Sequence, residues 1–363
     1  SRHEGKVLGL AAYGNPEPFL SRLMEHTRPD NWEELFDPTL ARVALRFSRG
    51  DGQAVIKRLS EGLSREDVAA GLQTYTEQLI CDWIQLQVRK MKVSKLTLAG
   101  GVFANVKLNQ RVLALPEVEN IFIHPNMGDG GLAAGAAFEA YSRLQNGFEP
   151  QFHEQVYLGT GINRENALAA IKASGLSYEE PENLAGSVAQ LLAAGKVVAR
   201  ADGRMEYGPR ALGNRTVMAA CSDPSINQWL NKKFVRTEFM PFAPVILEEH
   251  AKEYFPTWQE DHFTARYMTI TYDVSELAKK NIPAAVHVDN TARPQVIRRE
   301  DNRDYYDIIS EYNKLTGVPS VINTSFNMHE EPIVRTADDA IRAFQAAKLD
   351  ALILGPFLLH LNA

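Results

Sequence analysis

Twice between Lys95 and Leu144 the chain runs strand, glycine turn, helix, and this alternation limits its fold more than any other feature. Lys95 to Ala99 reads as a strand, Gly100-Gly101 as a turn, and the residues to about Leu113 as a helix. Val118 to Ile123 is a second strand, and Gly128-Asp129-Gly130-Gly131 opens an alanine-rich helix that reaches about Leu144. Such units build α/β layers, and the free N–H groups at the helix starts suit anions. Tight strand–helix packing explains glycine turns about as well.

Upstream, Ser64 reads as an N-cap, and Val68, Leu72, Tyr75, Leu79, Trp83 and Leu86 recur at helical spacing, as a buried face would. Gln145 to Pro150 breaks the pattern, which predicts domains over 1–147 and 148–363. The second part predicts helices over 164–173, 185–194, 303–315 and 338–348, with Gly317 stopping the third. Strands are expected over 196–199, 267–272, 284–288, 321–322 and 351–354.

A chain of 363 residues can hold two cores, and 45% hydrophobic with 23% charged residues suits a globular protein. A net charge of −6 speaks against a nucleic-acid partner, and no run has the length of a membrane span. Cys81 and Cys221 lie far apart and outside any metal spacing, so they are expected as reduced thiols of a cytoplasmic protein.

The chemistry concentrates in Gly203 to Arg215, where three glycines alternate with Arg204, Arg210 and Arg215 around a single acid, Glu206. Arginine forks match phosphate and carboxylate oxygens, and glycine lets backbone N–H groups come close to a ligand. Lys233 to Pro244 adds Lys233 and Arg236 among phenylalanines and prolines, and Arg293 and Asn323-Thr324-Ser325 follow. Taken singly, each reads better as structural: Arg293 as a surface cation, Asn323 as a turn former and Ser325 as a cap.

The Gly203–Arg215 stretch resembles the signature of the O-carbamoyltransferases of the NodU and CmcH type. His3 to Gly14, Leu98 to Asn105, Gly128 to Gly131 and Asn323 to Asn327 agree with that family in the same order. The resemblance implies part of an ATPase-type lobe of the actin, hexokinase and Hsp70 kind, followed by a YrdC-like α/β domain. It implies that the second domain makes carbamoyl adenylate from carbamoyl phosphate and ATP, with Mg2+ accompanying the ATP. The first domain would then pass the carbamoyl group to a hydroxyl of a sugar, antibiotic or polysaccharide acceptor, with the help of Fe2+. Arg204, Arg210, Lys233 and Arg236 would be catalytic. Gly101, Asn105, Arg215, Arg293, Asn323, Thr324 and Ser325 would bind the cofactor, and Asp129 the iron.

No two of the nine histidines stand four apart, so the iron site is expected to be incomplete, and the chain is expected to lack its natural N-terminal segment. A tRNA-threonylcarbamoylation type of enzyme and a non-catalytic nucleotide-binding module are the alternatives.

Overall fold

The computed structural model describes residues 4–27, 51–149, 155–234 and 242–361, so His3 and Arg236 lie outside the described residues. The fold is mixed α/β, and it divides into two compact units, 1–96 with 110–119 and 97–109 with 120–363.

The first unit is helical, with helices Glu4–Ala11, Glu17–Thr27, Asp51–Leu59 and Arg65–Met91. Phe19, Leu23 and Leu59 form its core, with Val68 and Tyr75 packed against them. Ser64 caps the long helix as expected, accepting from the Asp67 N–H at 3.0 Å. The buried face of that helix differs from the expected one. Ala69, Ala70, Gly71, Ile84 and Val88 are buried, whereas Leu72 is 38% exposed and Leu86 36%. The reason is close approach: a Cβ on Gly71 would sit 2.8 Å from the Phe19 Cβ, so small residues face the neighbouring helix.

Beyond it the strands are, in chain order, β1 (Lys95–Leu98), β2 (Asn120–Ile123), β3 (Tyr157–Ile162), β4 (Ser177–Glu179), β5 (Val198–Ala201), β6 (Gly203–Glu206) and β7 (Arg215–Ala220). They continue as β8 (Ala243–Leu247), β9 (Tyr272–Asp273), β10 (Thr291–Ala292), β11 (Gln295–Ile297), β12 (Ser320–Ser325), β13 (Ala351–Leu354) and β14 (Phe357–His360). An eight-stranded sheet of order β11-β8-β12-β7-β5-β13-β14-β4 is the frame of the second unit. It is mixed: β11 runs parallel to β8 and β5 to β13, and the other pairs are antiparallel. β5, β7, β8 and β13 are almost wholly buried, which accounts for the continuous apolar runs of β8 and β13. Val188, Leu192, Tyr305, Ile308 and Tyr312 pack from helices Leu184–Ala193 and Arg303–Thr316 onto Val198, Met218, Val321 and Ile353.

Two expected strands are corrected. Residues 267–272 enter as the 3-10 turn Phe263–Tyr267, Met268 then takes a left-handed φ of 56°, and only Tyr272–Asp273 is strand. Residues 284–288 begin in the 3-10 turn Pro283–Ala285, with the proline in its first turn. Residues 267–272 are buried throughout, whereas in 284–288 only Ala284 and Ala285 are, and burial without a ladder leaves the same trace in sequence as a strand. The helix expected after Gly101 also starts late. A 3-10 turn, Gly101–Ala104, precedes helix Val106–Leu113.

Candidate functional site

The Gly203–Arg215 stretch is a strand and a tight turn rather than an open loop. β6 pairs with β3, the chain turns through 207–214, and β7 carries it back into the large sheet. One oxygen of Glu206 accepts the backbone N–H groups of Leu212 at 2.8 Å, Asn214 at 2.8 Å and Arg215 at 3.1 Å. A carboxylate that gathers three N–H groups holds a turn firmly. Gly213 (φ 122°) lies over Tyr305, where a Cβ would come within 2.3 Å of the ring. Gly208 (φ 112°) lies against the Pro125 carbonyl, 2.8 Å from where its Cβ would be. Next to it, the Tyr207 ring meets His124 edge to face at 5.7 Å. His124 holds the Asn126 carbonyl through Nδ1 at 3.0 Å, so the turn that precedes Asp129 touches the arginine turn.

The arginines divide by what they bond. Arg215 is fully buried and donates to the carbonyls of Asp202 and Asn214 at 2.8 and 2.7 Å, and of Thr160 and Gly203, both at 3.1 Å. Burial pushes its pKa down to about 10, against the opposing pull of Glu206, so it stays charged at neutral pH. Arg204 donates to the Gly159 carbonyl at 3.1 Å and to that of Leu158. Arg200 reaches the Gly213 carbonyl at 2.8 Å, Asn214 Oδ1 at 2.6 Å and Asp202 at 2.8 Å.

Arg210 and Arg293 differ from these. Among the described residues neither guanidinium has an acid or a carbonyl partner; the buried Nε of Arg210 has no acceptor, which is equally true of the Nε of Arg215. Burial lowers the pKa of both, and the charge of Arg210 lowers that of Arg293 further, to well below the usual guanidinium range. Both residues keep partial contact with solvent. The two cations stand close enough for the charge of one to disfavour that of the other.

The remaining expected residues fall as follows. The Asn323 side chain is enclosed: its amide N–H groups go to the Ala211 carbonyl at 3.0 Å and Gln295 Oε1 at 2.7 Å, and its oxygen meets the Thr216 hydroxyl. Thr324 and Ser325 stand at the end of β12 opposite Val217 and Thr216, beside Arg215. Lys233 ends helix Ser225–Lys233, with its ammonium over the Trp229 ring at 4.9 Å and at 3.5 Å from the Lys348 carbonyl. Asn105 accepts from the Leu108 N–H at 3.0 Å and so caps helix Val106–Leu113. A Cβ on Gly101 would meet only open space. Asp129 is exposed, and among the described residues no three His, Cys, Asp or Glu side chains gather as a metal site. One exposed carboxylate, beside a His124 whose Nδ1 is committed to Asn126, does not fit iron.

Glu206, Gln295, Asn214 and Tyr157 join the site without having been singled out by motif. The signal for Glu206 was its isolation as the one acid in a cationic stretch.

The site is thus a braced turn that carries Arg210, with Arg293 on a separate segment, and among the described residues neither guanidinium is paired with an acid. Residues 1–138 match the carbamoyltransferase N-terminus family and residues 189–360 the carbamoyltransferase C-terminus family. The chain belongs to the carbamoyltransferase family. It is 35% identical to nodulation protein NolO of Bradyrhizobium diazoefficiens, over 98% of this chain and 65% of that one. An uncharacterised protein of Methanocaldococcus jannaschii is 33% identical over 98% of this chain and 58% of its own length. Nodulation protein U of Rhizobium tropici is 32% identical over 74% of this chain and 45% of that one. The chain thus spans between half and two thirds of the first of these relatives. A crystal structure of full-length HypF in the phosphate- and nucleotide-bound form shares 17% identity over 51% of this chain and 22% of that chain, with a TM-score of 0.32. Likeness at that level says nothing about function. Among the described residues no helix is long and apolar enough to cross a membrane.

Proposed function

We propose that this chain forms the carbamoyl-activating part of an O-carbamoyltransferase, with Arg210 and Arg293 binding the phosphoryl group of carbamoyl phosphate. The supporting observation is that these two guanidiniums lie close enough for one charge to disfavour the other, and that neither has an acid or carbonyl partner among the described residues. Two unpaired cations repel each other, and a dianion between them removes the cost. Arg215, Arg204 and Asn323 spend their hydrogen bonds on the protein, so their part is to shape the turn.

Family membership supports the chemistry. Water releases phosphate from carbamoyl phosphate, leaving carbamate. A carbamate oxygen then bonds to the α-phosphorus of ATP as the bond to pyrophosphate breaks, giving carbamoyl adenylate. An acceptor hydroxyl finally takes the carbamoyl group, and AMP leaves with the proton balance met by solvent. The cations neutralise charge on the phosphates as the two anions meet, and Mg2+ comes with the ATP. Thr324 and Ser325, beside Arg215, and Gly101, with its open approach, are assigned to the nucleotide. We keep the domain division at 147/148 and place the protein in the cytoplasm, where its two free thiols persist.

Titration calorimetry with ATP and then carbamoyl phosphate, together with a pyrophosphate-release assay, tests this reading. Carbamoyl-phosphate-dependent pyrophosphate release supports it. Binding of ATP without any such release turns it towards a non-catalytic nucleotide-binding module.

A further inference from the structure

The two segments that carry the free arginines are tied together by a relay of buried amides. Gln295 is 3% exposed; it donates through Nε2 to the Leu212 carbonyl at 3.0 Å and accepts from Asn323 at 2.7 Å. Asn323, 2% exposed, also donates to the Ala211 carbonyl at 3.0 Å, and its oxygen meets the Thr216 hydroxyl. The Tyr157 hydroxyl adds a second bond to the Leu212 carbonyl at 2.9 Å. Turning Gln295 over would set its oxygen against the Leu212 carbonyl and its N–H groups against those of Asn323, and turning Asn323 over would set its oxygen against the Ala211 carbonyl and Gln295 Oε1, so the relay runs in one direction. Ala211 and Leu212 directly follow Arg210, and Gln295 stands two residues after Arg293, across Pro294. The backbone between Arg293 and Gln295 is stiffened by that proline.

We propose that Gln295 is a positioning residue of the anion site: its amide clamps Leu212 and so holds the Arg210 and Arg293 guanidiniums at the separation at which one phosphoryl group engages both. This rests on the reading of those arginines as an anion site. A neutral amide suits the task. It resists the repulsion of two cations without bringing a negative charge that would compete with the ligand. A glutamate of the same size would keep the bond from Asn323, lose the one to Leu212 and add that charge.

The test is the binding of inorganic phosphate to the 363-residue chain by calorimetry. Arg210→Met, Arg293→Met and their double variant are measured in the parent and in Gln295→Met. In the parent, each single change should weaken phosphate by about tenfold or more, and the double should cost clearly less than the product, because one ligand bridges both. In Gln295→Met, phosphate should weaken by about tenfold and the coupling between the arginines should vanish. A general loosening of the fold would weaken binding while leaving that coupling in place. Gln295→Asn, which keeps the amide on a shorter arm, replaces Gln295→Met if the latter does not fold, with the same loss of coupling expected. Coupling as strong as in the parent overturns the role of Gln295. Parent-like phosphate affinity in both arginine variants overturns the anion site itself, and so separates the two failures.

Discussion

The Glu206 carboxylate accepts the backbone N–H of Arg215 at 3.1 Å and also opposes the fall in Arg215's pKa that burial causes. The two residues brace the turn from opposite sides. Glu206 gathers N–H groups, and Arg215 gathers carbonyls of Thr160, Asp202, Gly203 and Asn214. A cation and an anion are thus spent on backbone geometry, and Arg210 is left exempt from both.

Glu206→Gln should therefore destabilise the protein by about 2 kcal/mol, since three N–H groups lose a charged acceptor and the new amide has no acceptor beside the buried, unpartnered Oε2 position. Urea unfolding measures it. Phosphate affinity should fall with it, because the turn that carries Arg210 loosens. An unchanged midpoint would mean that the turn is held by its other contacts.

Gly213→Ala should be worse, by about 3 kcal/mol or more, because the change combines a left-handed φ with a clash into the Tyr305 ring. Gly100→Ala makes the control. It has a comparable φ of 126°, and the added carbon would meet only the Phe103 ring, in ordinary contact at 3.9 Å. Thermal midpoints of the two variants should separate strain plus clash from strain alone.

How far the sequence could be read follows from these residues. Caps and breakers act locally, so Ser64, Gly317 and the helix over 303–316 were legible. The arginine turn was legible as a special segment, because three glycines and three arginines in so short a run have a shared cause. Which arginines the protein leaves without an acid or carbonyl partner was not legible. Arg204 and Arg215 are satisfied by carbonyls of β3, more than forty residues away, and no local pattern records such bonds. Gln295 was silent for the same reason: a single glutamine near a strand carries no spacing signal, and its meaning lies in Leu212 and Asn323. Residues 267–272 misled because buried irregular backbone is as apolar as a strand.

Arg293→Met should leave the fold at least as stable as the parent when no anion is present, since it removes a desolvated cation that Arg210 repels. In saturating carbamoyl phosphate the order should reverse, with the parent gaining stability by mass action and the variant gaining much less. Differential scanning fluorimetry with and without the ligand reads both. A variant that is less stable than the parent in both conditions would show that Arg293 serves the fold, and the proposed site would lose one of its two cations.

Asp289 provides a pH signature outside the site. Burial alone would raise its pKa, but hydrogen bonds from His287 at 3.1 Å, Thr291 at 2.7 Å and Lys107 at 2.9 Å outweigh it, and the carboxyl titrates well below the usual range. A lowered folded-state pKa means that the unfolded chain binds the proton first. The stabilisation from Asp289 is therefore complete above its unfolded value of about 3.9, and it is lost as pH falls through the lower folded-state value. Asp289→Asn should lower stability at pH 7 and flatten the acid limb of the stability curve, so that parent and variant converge as the pH drops below about 4. Urea midpoints taken from pH 7 down to pH 3 check this. Parallel curves over that range would mean that the Asp289 cluster does not couple proton binding to folding.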